Sequence, residues 1–183
     1  MNYAAINTKV KAISAKESTS QSAAALCLYI TDKTLREFIT AIANKDVSEF
    51  HYYINQWKRL SRLDKKNQVA LRGALGAEID MNNILWMYRL KKYHRIKGDA
   101  TYGYLVPIRY KLSPEMTQKM AHAESPAALL DEIAGSPYAR DIDFAKPALE
   151  QQLSKAIEKR YQAAARRYPE SLAPVLAYLH KLR

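Results

Sequence analysis

The sequence predicts an all-α fold, a multi-helix bundle of antiparallel helical units. Three observations carry that prediction. Apolar residues recur at steps of three and four along most of the 183 residues, which is the period of one helix face. Glycine is scarce, with five residues in all, while Ala, Leu, Lys and Arg are plentiful and are good helix formers. Helix punctuation also recurs, as Ser-Pro pairs, Asp and Thr caps and glycines near the ends of periodic runs. The length suits one compact helical domain over 1–183 with a real core. Within it lie an N-terminal helix and linker (1–20), helices leading to a central helix (32–98), an extended connector (99–112) and C-terminal helices (113–183).

Ile6, Val10 and Ile13 fall at helical spacing and predict a short amphipathic helix over 2–13. Residues 15–22 are polar and Ser-rich, a loop or linker, and 22–30 are apolar enough for a short buried helix. Cys27, the single cysteine, sits among Ala and Leu and reads as a buried small hydrophobe. One cysteine leaves no internal disulfide framework and suits a reducing compartment. Asp32 or Thr34 caps the next helix, with Glu37 three residues after Thr34 as in a capping box. Leu35, Phe38, Ile39 and Ile42 make its apolar face, and Asn44 is its stop. Asp46 and Glu49 repeat the capping spacing ahead of Val47, Phe50, Ile54 and Trp57, the face of an amphipathic helix. Asp64 opens another, with Val69, Leu71 and Leu75 inside and Gly76 near its end.

The central helix is expected to begin at Asp80, whose carboxylate suits the free N–H groups and positive dipole of a first turn. The run 84–90 is apolar nearly all round, so this helix is covered on more than one side. Trp86 belongs to the core, and Arg89 within that run needs a carboxylate from a neighbouring helix, Glu78 or another. Lys91, Lys92, Arg95 and Lys97 crowd the last turns, where the dipole favours cations. Gly98 offers the left-handed turn that closes many helices.

Tyr102, Tyr104, Val106, Ile108 and Tyr110 then alternate with a strand period. Pro107 removes a ladder donor and no second strand is available, so 101–112 reads as an extended connector on the surface of the helices. Ser113-Pro114 and Ser125-Pro126 each place a cap before a proline at the first helical position and predict short helices, the second ended by Gly135. Ser136-Pro137 reads as a turn. Pro147 begins the last long helix, with a stripe of Leu149, Leu153, Ile157, Tyr161, Ala164 and Tyr168, and Pro169 stops it. A further helix over 171–183 carries Leu172, Val175, Leu176 and Leu179.

The formal charge of +11 points to an acidic partner: a nucleic acid, an anionic membrane surface or an acidic protein. No apolar run approaches the ~20 residues needed to cross a bilayer, and no secretory signal is visible, so a soluble or peripheral protein is expected. No phosphate-cradling glycine pattern is present. His51, His94, His122 and His180 lack zinc-ligand spacing. Asp141 and Asp143 sit in a Pro-flanked turn and read as caps. No nucleophile–base arrangement can be assembled from spacing. The reading is therefore not an enzyme, with no cofactor and no metal.

The central stretch carries a resemblance. Glu78-Ile79-Asp80, Asn83-Ile84 and Tyr88-Arg89-Leu90-Lys91-Lys92-Tyr93 resemble the signature of the C-type subunit family of V-type ATPases, whose eukaryotic members are called d. Asp80, Asn83, Trp86, Tyr88, Arg89 and Tyr93 are the signature positions. Supporting blocks are Tyr3 to Ala12, Tyr52 to Leu60 with Leu63 to Asn67, Tyr104 to Leu112, and Arg166 to Leu179. The segment between Ala12 and Phe50 is shorter than the family's first unit, and the chain stops where a third unit's helix should begin, as in a fragment or a reduced relative. The resemblance implies a non-catalytic helical socket that couples the central stalk to the membrane rotor ring during ion transport, peripheral on the cytoplasmic, inner face of the membrane. Lys91, Lys92, Arg95 and Lys97 would then face acidic surfaces on the ring, the stalk or lipid headgroups. The alternatives are a basic helical nucleic-acid-binding protein, suggested by tyrosines interleaved with Lys and Arg at 88–95 and 160–168, and a helical scaffold with an unrelated partner.

Overall fold

The computed structural model describes residues 33, 36, 37, 39 and 49–181. The expectations for 2–13, 15–22 and 22–30, for Cys27 and for the caps at Asp32, Thr34 and Asp46 lie outside the described residues. The order is α1 (Glu49–Leu60), α2 (Lys65–Arg89), a π-turn (Leu90–His94), a 3₁₀ segment (Gly98–Tyr104), α3 (Pro114–His122), α4 (Pro126–Ala134), a 3₁₀ turn (Ala139–Asp141), α5 (Leu149–Arg167) and α6 (Ala173–Lys181). No strand occurs among the described residues, and the fold is all-α.

The chain divides into two compact units, Met1–Leu75 with Glu158–Arg183, and Gly76–Ile157. The boundaries fall inside α2 and α5, so each of these helices belongs to both units.

In the first unit Asp64 caps α2 as its position predicts. Its Oδ1 accepts from the backbone N–H of Asn67 at 3.0 Å, and the Asn67 amide donates to Oδ2. Burial pushes the Asp64 carboxyl up, but the Asn67 and backbone hydrogen bonds outweigh it and hold it below the usual range. Asn67 is itself buried, and its Oδ1 accepts from Leu172 N at 2.8 Å. That bond ties the first turn of α2 to the start of α6. Leu172, Val175, Leu176 and Leu179 are buried as expected, and buried Tyr161 stacks on His180 with ring centroids 4.8 Å apart. Two expectations fail here. Val69 is 55% exposed. The buried face of α1 is Tyr52, Tyr53, Gln56 and Leu60, while Ile54 and Trp57 are only half-buried. The two tyrosines bury large rings edge to face, centroids 5.1 Å apart, and such a ring pair adds to the area it buries, which favours turning this face inward.

In the second unit the Ser-Pro helices start as predicted. Ser113 Oγ accepts from Met116 N and Ser125 Oγ from Ala128 N, each at 3.1 Å. The helix break expected at Gly76–Asp80 does not exist, because α2 runs through it for 25 residues. Arg95, at φ 56°, is the left-handed residue that closes the π-turn, and Gly98 adopts φ 64° three residues later. The connector also differs from expectation. Gly98–Tyr104 is a 3₁₀ segment packed on α3, and of the residues that follow Leu105, Val106 and Leu112 are buried rather than laid on a surface.

Candidate functional site

Of the signature positions, Asp80, Asn83, Trp86, Tyr88 and Arg89 sit on the second half of α2, and Tyr93 lies in the π-turn that follows. Gly76, Asp80 and Asn83 are spaced i, i+4 and i+7 and share one face, which receives the connector. Asp80 is fully buried. Its Oδ1 accepts from Tyr110 N at 3.0 Å, and its Oδ2 accepts from Lys111 N at 2.7 Å, Leu112 N at 3.1 Å and Tyr138 Oη at 2.7 Å. A carboxylate is costly inside a protein unless donors surround it, and four donors do so here. Asp80 is thus a clamp on the connector and not the helix cap expected from sequence. Asn83 grips the same segment in both directions: its amide donates to Val106 O at 3.0 Å and its Oδ1 accepts from Val106 N at 2.9 Å. At Gly76 the ring of Tyr110 fills the space a side chain would need, since an added Cβ would stand 2.8 Å from Tyr110 Cβ.

Arg89 finds the carboxylate its position demands, and it is Glu150 of α5. Nη2 lies 2.7 Å from Oε2 and Nε 3.2 Å from Oε1, a two-point fork. The Arg89 guanidinium holds the Glu150 carboxyl below the usual range. Trp86 and Tyr88 are half-buried, and Tyr93 is 59% exposed. Full burial of Trp86 is therefore corrected. The surrounding core is carried by Ile84 and Met87, both at 0% exposure.

The four basic residues beyond α2 do not form one outward cluster. Lys91 is buried, and its Nζ donates to Ala121 O at 2.7 Å. It satisfies a carbonyl at the C-terminal end of α3, where no helical partner exists. Burial pushes its ammonium below the usual lysine range. An outward, partner-facing Lys91 is corrected on that ground. Lys92 is exposed, with Nζ 5.2 Å from the Tyr93 ring centre and 5.4 Å from that of Tyr88. Tyr93 first, then Tyr88, hold its ammonium above the usual range. Arg95 is exposed at the left-handed turn. Lys97 pairs with Glu124, and that pairing holds the Glu124 carboxyl low. His122 Nε2 stands 3.2 Å from Asp99 Oδ1.

Glu150, Tyr138 and the Ala121 carbonyl complete this region, and sequence reasoning assigned none of them. Each acts from tens of residues away, so no local spacing marks it. Among the described residues no group of His, Cys, Asp and Glu is arranged to hold a metal ion, and no helix is long and apolar enough to cross a membrane.

Fold and site together define an all-α protein with a long helix clamped to its own connector and an exposed basic, aromatic turn beyond it. The family model for the ATP synthase (C/AC39) subunit matches residues 9–183. The chain belongs to that family, the same C-type family of V-type ATPase components that its signature resembles. No curated protein and no solved structure matches the chain.

Proposed function

We propose that this chain is a non-catalytic socket of a rotary V-type ATPase, seated on the cytoplasmic side between the rotor ring and the central stalk and carrying torque during ion transport. The observation that carries the reading is the family match over residues 9–183. The physics of the second unit is compatible with it. A part that transmits torque must not yield, and α2 is a rod roughly 37 Å long whose connector is held by buried, charge-assisted hydrogen bonds rather than by apolar contact alone. The surface offered to acidic groups on the ring, stalk or headgroups is Lys92 and Arg95 with Lys97 beside them, while Lys91 stays inside.

The nucleic-acid alternative rests on net charge. Its interleaved tyrosines are engaged within the chain: Tyr88 and Tyr93 with Lys92, Tyr161 with His180, and Tyr168 with Arg167 at 5.5 Å. The test is charge reversal. Lys92→Glu with Arg95→Glu should lower the melting temperature by only a few degrees, since both are exposed and the lost complement to the helix dipole is small. It should reduce capture of ring or stalk components from detergent-solubilised membranes at least fivefold. Undiminished capture would remove these residues from the interface.

A further inference from the structure

The first unit carries a second surface that the basic turn does not explain. Lys65, Val69 and Arg72 are spaced i, i+4 and i+7, so they lie along one flank of the first turns of α2. All three are exposed, Val69 at 55%. Beside them Arg72 lays its guanidinium 5.3 Å from the ring centre of half-buried Trp57. Two acids of the same unit are engaged within the chain. Asp64 accepts twice from Asn67, and Glu170 is paired with Lys66 at 3.2 Å. The flank is therefore an apolar spot edged by cations, one of them beside an indole.

We infer that this flank is a docking surface for an acidic protein segment. Charge complementarity sets the sign of the occupant. A guanidinium drawn to an aromatic ring keeps N–H groups that can fork onto a carboxylate. Trp and Arg around a small apolar centre is the composition of a protein interface, where such residues dominate binding. The same details disfavour other anionic surfaces. Insertion into a lipid layer needs a band of apolar side chains, and Val69 is a single one. Base stacking needs a free aromatic face, and Trp57 is half-buried with the Arg72 guanidinium 5.3 Å from its ring centre. A second copy of a +11 chain would bring the same charge. The inference does not rest on the rotary-ATPase reading.

The probe is a fluorescein-labelled helical peptide of Glu with Leu at every fourth position, titrated against the full chain by anisotropy. A Leu→Ser version of the peptide, a 20-nucleotide single-stranded DNA and phosphatidylglycerol vesicles serve as competitors. The Leu peptide should bind at least tenfold more tightly than the Ser version. Lys65→Glu should weaken it at least fivefold, and it keeps the fold because an acid at the first position of a helix suits the dipole. Val69→Asp should erase the difference between the two peptides. Indifference of the peptide to both changes would overturn the inference. So would tighter binding of DNA or vesicles that is lost in the same two variants.

Discussion

Asp80 shows how a residue can be recognised correctly and still be given the wrong job. Its type and place in the signature are legible, but a cap is judged from neighbours three residues away, and its real partners lie 30 to 58 residues along the chain. Asp80→Ala should strand three backbone donors and the Tyr138 hydroxyl. The expected loss is about 3–5 kcal/mol in urea unfolding, with about 1–2 kcal/mol for Tyr138→Phe. A loss under 1 kcal/mol for Asp80→Ala would show that water replaces the carboxylate. Trp86→Ala, worth about 3–5 kcal/mol for a fully buried ring, should cost somewhat less, about 2–4 kcal/mol, because the ring is not fully buried.

Two ionisable residues make opposite statements about pH. Glu150 is depressed by Arg89, so its contribution is complete above the ordinary glutamate value of 4.5 and disappears as pH falls through its lower folded value. Glu150→Gln should cost about 0.5–1 kcal/mol at pH 7, as for a partly exposed fork, and nothing in strong acid. Lys91 is depressed by burial. For a base this means a penalty at neutral pH that is relieved as pH rises from its folded value toward 10.5. The stability of the native chain relative to Lys91→Met should therefore increase with pH across that window. A flat difference would mean the ammonium is well solvated.

At the scale of elements, the sequence tells most about starts and least about continuity. Ser113, Ser125 and Asp64 cap their helices where expected, because capping is local chemistry. The long α2 reads as two helices because Gly76 and Asp80 mimic a stop and a start. A mid-helix glycine costs roughly 1 kcal/mol against Ala, and here it is required by the Tyr110 ring. Gly76→Ala should consequently destabilise by about 1–3 kcal/mol through overpacking, and Tyr110→Ala in the same chain should restore much of the loss. If Gly76→Ala stabilises instead, the ring moves freely and the connector is not pinned there. The π-turn carries no periodic signature, the end of the 3₁₀ segment carries a strand-like alternation that misleads, and the rotation of α1 is hidden because its burying residues are tyrosines.

At the scale of the molecule, all-α architecture is plain from period and composition, and the signature on α2 points to the family that the match over 9–183 establishes. What spacing cannot give is which cations face outward, because Lys91 and Lys92 are adjacent in sequence and opposite in environment. One domain, the organisation expected from sequence, should unfold in one urea transition seen alike by Trp fluorescence and circular dichroism. Two separated transitions would make the two units independent domains.

A seat in a rotary ATPase can be tested by capture. The purified chain is immobilised, detergent-solubilised membranes from its source are passed over it at moderate salt, and the retained proteins are identified. Retention of rotor-ring or central-stalk components, lost in Lys92→Glu with Arg95→Glu, is the predicted result. Retention of nucleic acid without any V-type ATPase component would contradict it.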